Sequence, residues 1–137
     1  MSDAISILII DGDHHDREYY AQRLEVCSPD YDVVQAETGQ YGLDLCARQP
    51  ITCVVLEIEL PDMSGFQTLT KLVPRVFHPE IAVVVLTRLP NQFLLDLAIK
   101  NGAQAALYKA NTSGDILDKA ILKAIATVER KRVQHVH

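Results

Sequence analysis

Short, nearly unbroken apolar runs alternate along this chain with longer segments whose apolar residues recur at helical spacing. Ile5 to Ile10 is the first run, and it ends abruptly in Asp11-Gly12-Asp13. A β-branched run closed by a polar turn predicts a strand buried on both faces. From about His14 to Cys27, the positions of Tyr19, Tyr20, Leu24 and Val26 predict a helix, which Pro29 closes. Val33-Val34 marks a second strand, and Tyr41, Leu43, Leu45 and Cys46 belong to a helix stopped by Pro50. Thr52 to Leu56 is a third strand ending in acid at Glu57. Ser64 with Gln67 three residues on predicts a capping box and a helix start.

Ile81 to Leu86 is the most apolar strand and ends at Thr87. Pro90 suits the first turn of a fourth helix, and Asn101-Gly102 its end. Ala105 to Tyr108 is a fifth strand running into Lys109. Thr112 with Asp115 is placed to cap a last helix, along which Ile116, Ala120, Ile121, Ala124, Ile125 and Val128 form an apolar stripe. Alternating strands and helices, with strands apolar on both faces, imply an α/β fold with a helix-covered parallel sheet. Five of each suit the flavodoxin-like doubly wound order 2-1-3-4-5.

The 137 residues suit one domain. We expect it to span residues 1–130, with 131–137 a tail or the start of a linker. Apolar residues at 48% and charged residues at 23% exclude a disordered or fibrous chain. No apolar run is long enough for a membrane span. The acidic start, Met1-Ser2-Asp3-Ala4, is unlike a signal peptide. Cys27, Cys46 and Cys53 sit in apolar segments and read as reduced thiols of a cytoplasmic protein. A formal charge of -5 argues against nucleic-acid binding by the domain as a whole.

In such sheets, sites lie at the carboxyl ends of strands near the switch in strand order. The strand ends here carry Asp11, Gly12 and Asp13, then Glu57, Thr87 and Lys109. Each alone has a bland explanation as a cap or a solvated rim residue. Several acids, a hydroxyl and a lysine converging on one rim favour a site.

Those residues carry a resemblance. Ile7-Leu8-Ile9-Ile10-Asp11, Val55 to Gly65 with its Leu-Pro-x-Met-x-Gly turn, Val84-Val85-Leu86-Thr87, Asn101-Gly102-Ala103 and Leu107-Tyr108-Lys109 resemble the CheY-like receiver domain of two-component response regulators. The likeness runs from about Ile5 to Val128. It implies a role in phosphorelay signal transduction with no enzymatic activity of its own. It also implies magnesium (Mg2+) held by acids after the first strand, and a phosphoacceptor after the third, modified by a partner histidine kinase. Thr87 and Lys109 would contact the phosphoryl oxygens and carry the switch.

The departures shape the expectation. Glu57 stands where the family has aspartate, Gly12 where it has the second acid, Arg88 where it prefers a small residue, and Ala110 where it has proline. Ala106 occupies the aromatic switch position, with Tyr108 two residues along. A glutamate reaches roughly 1.5 Å further than aspartate, a large error for in-line attack. Losing an acid at Gly12 leaves Asp11 and Glu57, with Asp13 through water, to hold magnesium weakly. Arg88 is placed to crowd the entrance or pair with Glu57. Lys109 is placed to pair with Glu57 or Asp11, and an extended carboxylate could meet Thr87 and Lys109 as a phosphoryl group would. The chain reads as a degenerate or phosphomimetic receiver acting through protein contacts. Glu57 as a native residue and as an engineered phosphomimic both remain open, and Gly12, Arg88 and Ala110 favour native divergence.

Two enzyme-like alternatives are weaker. Asp11-Gly12-Asp13 also resembles the first motif of haloacid-dehalogenase-like phosphatases, with Asp11 as nucleophile and Asp13 as acid/base, but no paired acids follow a later strand. A flavin module would need a Gly/Ser/Thr-rich phosphate loop after Ile10. His14-His15 point about 100° apart on a helix and lack a third soft ligand. His135 and His137 read as inert tail residues. The partner is a histidine kinase or a downstream signalling protein. The docking face is that of the fourth helix, fifth strand and fifth helix, which also suits a homodimer. Leu94, Leu95, Ala98 and Leu117 are its expected exposed contacts, because the fourth helix holds more apolar residues than one buried stripe needs.

Overall fold

A computed structural model describes residues 4–136. The acidic start at Met1-Ser2-Asp3, His137 and the side chain of His135 lie outside the described residues. The strands are β1 (Ser6–Ile10), β2 (Asp32–Ala36), β3 (Cys53–Leu56), β4 (Ala82–Thr87) and β5 (Ala105–Tyr108). The helices are α1 (His14–Cys27), α2 (Gly39–Arg48), α3 (Gly65–Leu72), α4 (Gln92–Lys100) and α5 (Gly114–Val136). All strand pairs are parallel, in the order β2-β1-β3-β4-β5, as the alternation predicts.

Because successive strand residues point to opposite faces, the apolar strands feed two cores. Ile7, Ile9, Val55, Val84 and Leu86 pack with Tyr20, Ala21 and Leu24 of α1 and with Leu117, Ile121, Ala124 and Val128 of α5. Leu8, Ile10, Val54, Leu56, Val83 and Val85 pack with Leu45 of α2, Leu69 of α3 and Ala98 of α4. The capping box forms as expected, with Ser64 accepting from the Phe66 amide and Gln67 from the Ser64 amide. Gly102 ends α4 at φ 110°, a conformation that favours glycine.

Four local expectations are corrected. Pro90 lies outside α4, whose N-cap is Asn91, accepting from the Leu94 amide. Thr112 does not cap α5. Ser113 accepts from the Ile116 amide, while the Thr112 hydroxyl donates to the Tyr108 carbonyl. Ile116 is half exposed and Leu117 is fully buried, because the inward stripe is Leu117, Ile121, Ala124 and Val128. Ala98 is likewise fully buried, a small residue where α4 meets the sheet. Ala98 and Leu117 are therefore core residues rather than surface contacts. The apolar surplus of α4 does reach the surface, at Phe93 (71% exposed) and Ile99 (45%), while Leu94 and Leu95 are half-buried.

Candidate functional site

The register of the sheet assembles the rim. Ile10 pairs with Leu56 across β1 and β3, so the next residues, Asp11 and Glu57, leave the sheet side by side at the switch in strand order. Thr87 pairs with Tyr108 across β4 and β5, which brings Lys109 to the same end. Gly65 lets the loop after β3 close tightly, since a Cβ there would lie 2.3 Å from the Glu57 carbonyl oxygen. The Gly65 amide instead donates to the Ile58 carbonyl at 2.7 Å.

Asp11, Glu57 and Thr87 are buried, and the Lys109 side chain is 8% exposed. Lys109 Nζ lies 2.6 Å from Asp11 Oδ2, 2.8 Å from Asp16 Oδ2 and 3.1 Å from Glu57 Oε1. The other Asp11 oxygen accepts the Asp13 amide at 2.8 Å. Both Glu57 oxygens are occupied as well. Oε2 accepts the amides of Ile58 and Glu59, and Oε1 accepts the Arg88 amide at 3.2 Å beside the lysine. Thr87 does not join this set; its hydroxyl accepts the Leu89 amide at 3.2 Å.

The Arg88 side chain reaches a different partner from the one expected. Its Nη2 lies 2.8 Å from Asp13 Oδ2 and 2.9 Å from Asp16 Oδ2, while only its backbone amide touches Glu57. Asp13 is also the N-cap of α1, accepting the Asp16 amide at 2.9 Å. Together Asp11, Gly12, Asp13, Glu57, Glu59, Pro61 and Arg88 line a pocket of about 310 Å³.

The charges are tuned by these contacts. Burial raises the Asp11 carboxyl above its ordinary value, more strongly than the bonds from Lys109 and the Asp13 amide lower it. Asp13 is held below the carboxylate range by the Asp16 amide and then by Arg88. For Asp16, burial is the largest effect and works upward, but Lys109 and Arg88 together outweigh it and hold the carboxyl low. Burial works against the Lys109 ammonium too, yet Asp11, Asp16 and Glu57 hold it above the ordinary lysine range.

A magnesium site needs hard oxygens free to face one point. The Asp11, Asp16 and Glu57 oxygens that converge here converge on Lys109, and the Asp13 carboxylate is divided between its cap and Arg88. No buried side-chain polar atom among the described residues lacks a partner, and no group of three acid, His or Cys ligands is poised for an ion among them. This donor set does not fit magnesium while Lys109 and Arg88 hold it.

The sequence reading missed Asp16, the second partner of both cations. Its one signal is a place three residues after Asp13, in the first helical turn facing the strand ends. Arg17 was missed too; its buried guanidinium donates to the Asp11 carbonyl at 2.8 Å and to Gln35 at 3.1 Å, bracing the β1–α1 turn.

Comparison with known proteins agrees with the fold. Residues 7–121 match the response regulator receiver domain. The chain is 30% identical over 122 residues to the nitrate/nitrite response regulator protein NarL of Escherichia coli strain K12, covering 88% of this chain and 55% of that one. It is 26% identical over 118 residues to the transcriptional regulatory protein DegU of Brevibacillus brevis, covering 85% and 48%. The chain spans about half the length of these two curated relatives. Among solved structures, the signal receiver domain of a LuxO repressor-like protein from Vibrio parahaemolyticus superposes with TM-score 0.82 at 20% identity, covering 98% of this chain and all of that one. A CheY-like receiver domain protein from Methanospirillum hungatei JF-1 gives 0.80 at 23%, covering 94% and 99%. The phosphatase alternative built on Asp11 and Asp13 finds no support, since Asp11 is bound to Lys109 and Asp13 is occupied as a helix cap. The chain belongs to the response regulator receiver domain family and has the receiver of two-component phosphorelay signalling as its fold and role.

Proposed function

We propose that this receiver keeps its phosphoacceptor rim closed by its own side chains and signals through protein contact rather than phosphoryl transfer. The carrying observation is the Glu57 carboxylate, whose two oxygens are taken by the amides of Ile58, Glu59 and Arg88 and by Lys109. An in-line acceptor needs a free oxygen aimed at phosphorus and a cation to screen the transferring group. Here the free oxygen is gone and the screening cation is Lys109. Any magnesium affinity at Asp11, Glu57 and Asp13 is weak on this reading, and the domain performs no catalysis.

Its partners are a histidine kinase or a downstream signalling protein of the cytoplasm, with no nucleic acid bound by this domain. The α4–β5–α5 face is the docking surface and also suits a homodimer. Phe93 and Ile99 of α4 and Ile116 of α5 are exposed, and Leu95, Ala106, Leu107, Tyr108 and Ile116 border a groove of about 420 Å³. Residues 131–137 serve as a tail or linker on this reading, outside the receiver proper.

The test is phosphate uptake from acetyl phosphate, read by intact mass. The unmodified chain should take up none at Glu57, and Glu57→Asp alone should do little. The double change Glu57→Asp, Gly12→Asp should be needed for base-labile phosphate. It meets an obstacle, since a Cβ on Gly12 would lie 2.9 Å from Pro61 Cδ, so Pro61→Ala belongs in the same series. Robust labelling of the unmodified chain would overturn the proposal.

A further inference from the structure

We propose that Arg88 is a tethered cation standing where a divalent ion would otherwise bridge this rim, fastening the loop after β4 to the first turn of α1. The inference rests on the closed-rim reading and assigns the closure to one residue. A single guanidinium nitrogen, Nη2, lies 2.8 Å from Asp13 and 2.9 Å from Asp16. The two carboxylates belong to one helical turn and converge on one point, as ligands converge on an ion. At the other end of the same residue, the backbone amide donates to Glu57 at 3.2 Å. Arg88 therefore ties the end of β3, the end of β4 and the start of α1 together.

The charges explain why a cation is needed there. Asp11, Asp13, Asp16 and Glu57 crowd one strand end, and Lys109 reaches three of them but not Asp13. Without Arg88, the outer oxygens of Asp13 and Asp16, which approach the same nitrogen, would be left with Lys109 on the Asp16 side alone and no cation on Asp13. Like charges so placed favour either proton uptake or a hard cation from solution. The arginine supplies that cation within the chain, with no loss of translational entropy. Its side chain is 55% exposed, so removing it opens no core cavity. The loop backbone keeps its bond to Glu57.

Thermal unfolding with and without millimolar magnesium chloride, against sodium chloride of matched ionic strength, tests the assignment. The unmodified chain should show no magnesium effect beyond that of salt. Arg88→Ala should unfold a few degrees lower in chelator and recover much of the loss in magnesium. Arg88→Lys should restore the charge and abolish the magnesium response. Adding Asp16→Asn to Arg88→Ala should remove the response as well. An Arg88→Ala protein indifferent to magnesium, or an unmodified chain that responds as strongly, would overturn the proposal. A response surviving Asp16→Asn would place the ion elsewhere and do the same. Phosphate labelling of the unmodified chain would defeat the closed-rim reading without moving this titration, so the two failures are separable.

Discussion

The strand-end rim and the α4–β5–α5 face lie on one domain and solve opposite problems. At the rim, charge is concentrated and tied up internally, with two cations, Lys109 and Arg88, divided among four carboxylates and backbone amides adding further bonds. On α4 and α5, apolar side chains stand in water among the described residues, led by Phe93 at 71% exposure. A receiver that works by chemistry needs an open rim. On the reading proposed above, this one turns the rim's polar capacity on itself and leaves apolar surface for a partner. Substitutions on the rim should therefore read out in folding, and those on the face in association.

The largest effect should come from Lys109→Met. Methionine matches the aliphatic stem but removes the ammonium from between Asp11 and Glu57, two buried carboxylates. Breaking a buried pair from one side strands the other charge, at a cost of ~3–5 kcal/mol. Urea unfolding should show the midpoint falling accordingly. A loss under about 1 kcal/mol, the size of a surface ion pair, would mean the rim is open to water and the contrast with the face is false.

How much of this contrast could be read from sequence differs between its parts. The sheet, its order and the residues at the strand ends were legible, because unbroken β-branched runs, the Ser64–Gln67 box and Gly102 are local signals with local causes. The partner of Arg88 was not. A long side chain with several rotatable bonds reaches many positions, and an acid in a first helical turn, such as Asp16, carries no sign of its partner. The phase of α5 was lost for a different reason. Ile116 and Leu117 are adjacent and equally apolar, and only the packed structure says which one the sheet claims. Thr112 and Ser113 pose the same problem as caps, one residue apart.

A middle-sized effect is expected in the acid limb of stability. Asp13 and Asp16 titrate below their ordinary value of 3.8 in the folded chain. Their contribution is therefore complete above about pH 4 and is lost as pH falls through the lowered values. Asp11, raised above 3.8 by burial, works against the fold as pH climbs through its own range. Lys109 stays above its ordinary 10.5, so its share persists through neutral pH and is lost only in alkali. The midpoint measured against pH should be flat across neutrality and fall at both ends. The gap between the unmodified chain and Arg88→Ala should be widest above pH 4 and should close as the carboxylates protonate. A gap that persists at low pH would show that Arg88 acts by packing rather than charge.

The smallest effect on folding, and the largest on association, should come from Phe93→Ser and Ile116→Ser. Both side chains are largely in water, Ile116 at 47% exposure, so each change should shift stability by no more than about 0.5 kcal/mol. If Phe93 takes part in docking a second copy or a partner, this exposed aromatic should carry about 2 kcal/mol of binding, roughly a thirtyfold loss in affinity when removed. Sedimentation velocity over a concentration series would read the self-association, and the same variants titrated with a candidate partner would read the other arm. The rim offers the internal control. Lys109→Met, measured in urea-free buffer well below its unfolding temperature, should leave the association constant near that of the unmodified chain, because Lys109 lies inside the strand end rather than on the groove. Association that survives Phe93→Ser, Ile116→Ser but fails in Lys109→Met would reverse the assignment, making the rim the contact and the apolar face incidental.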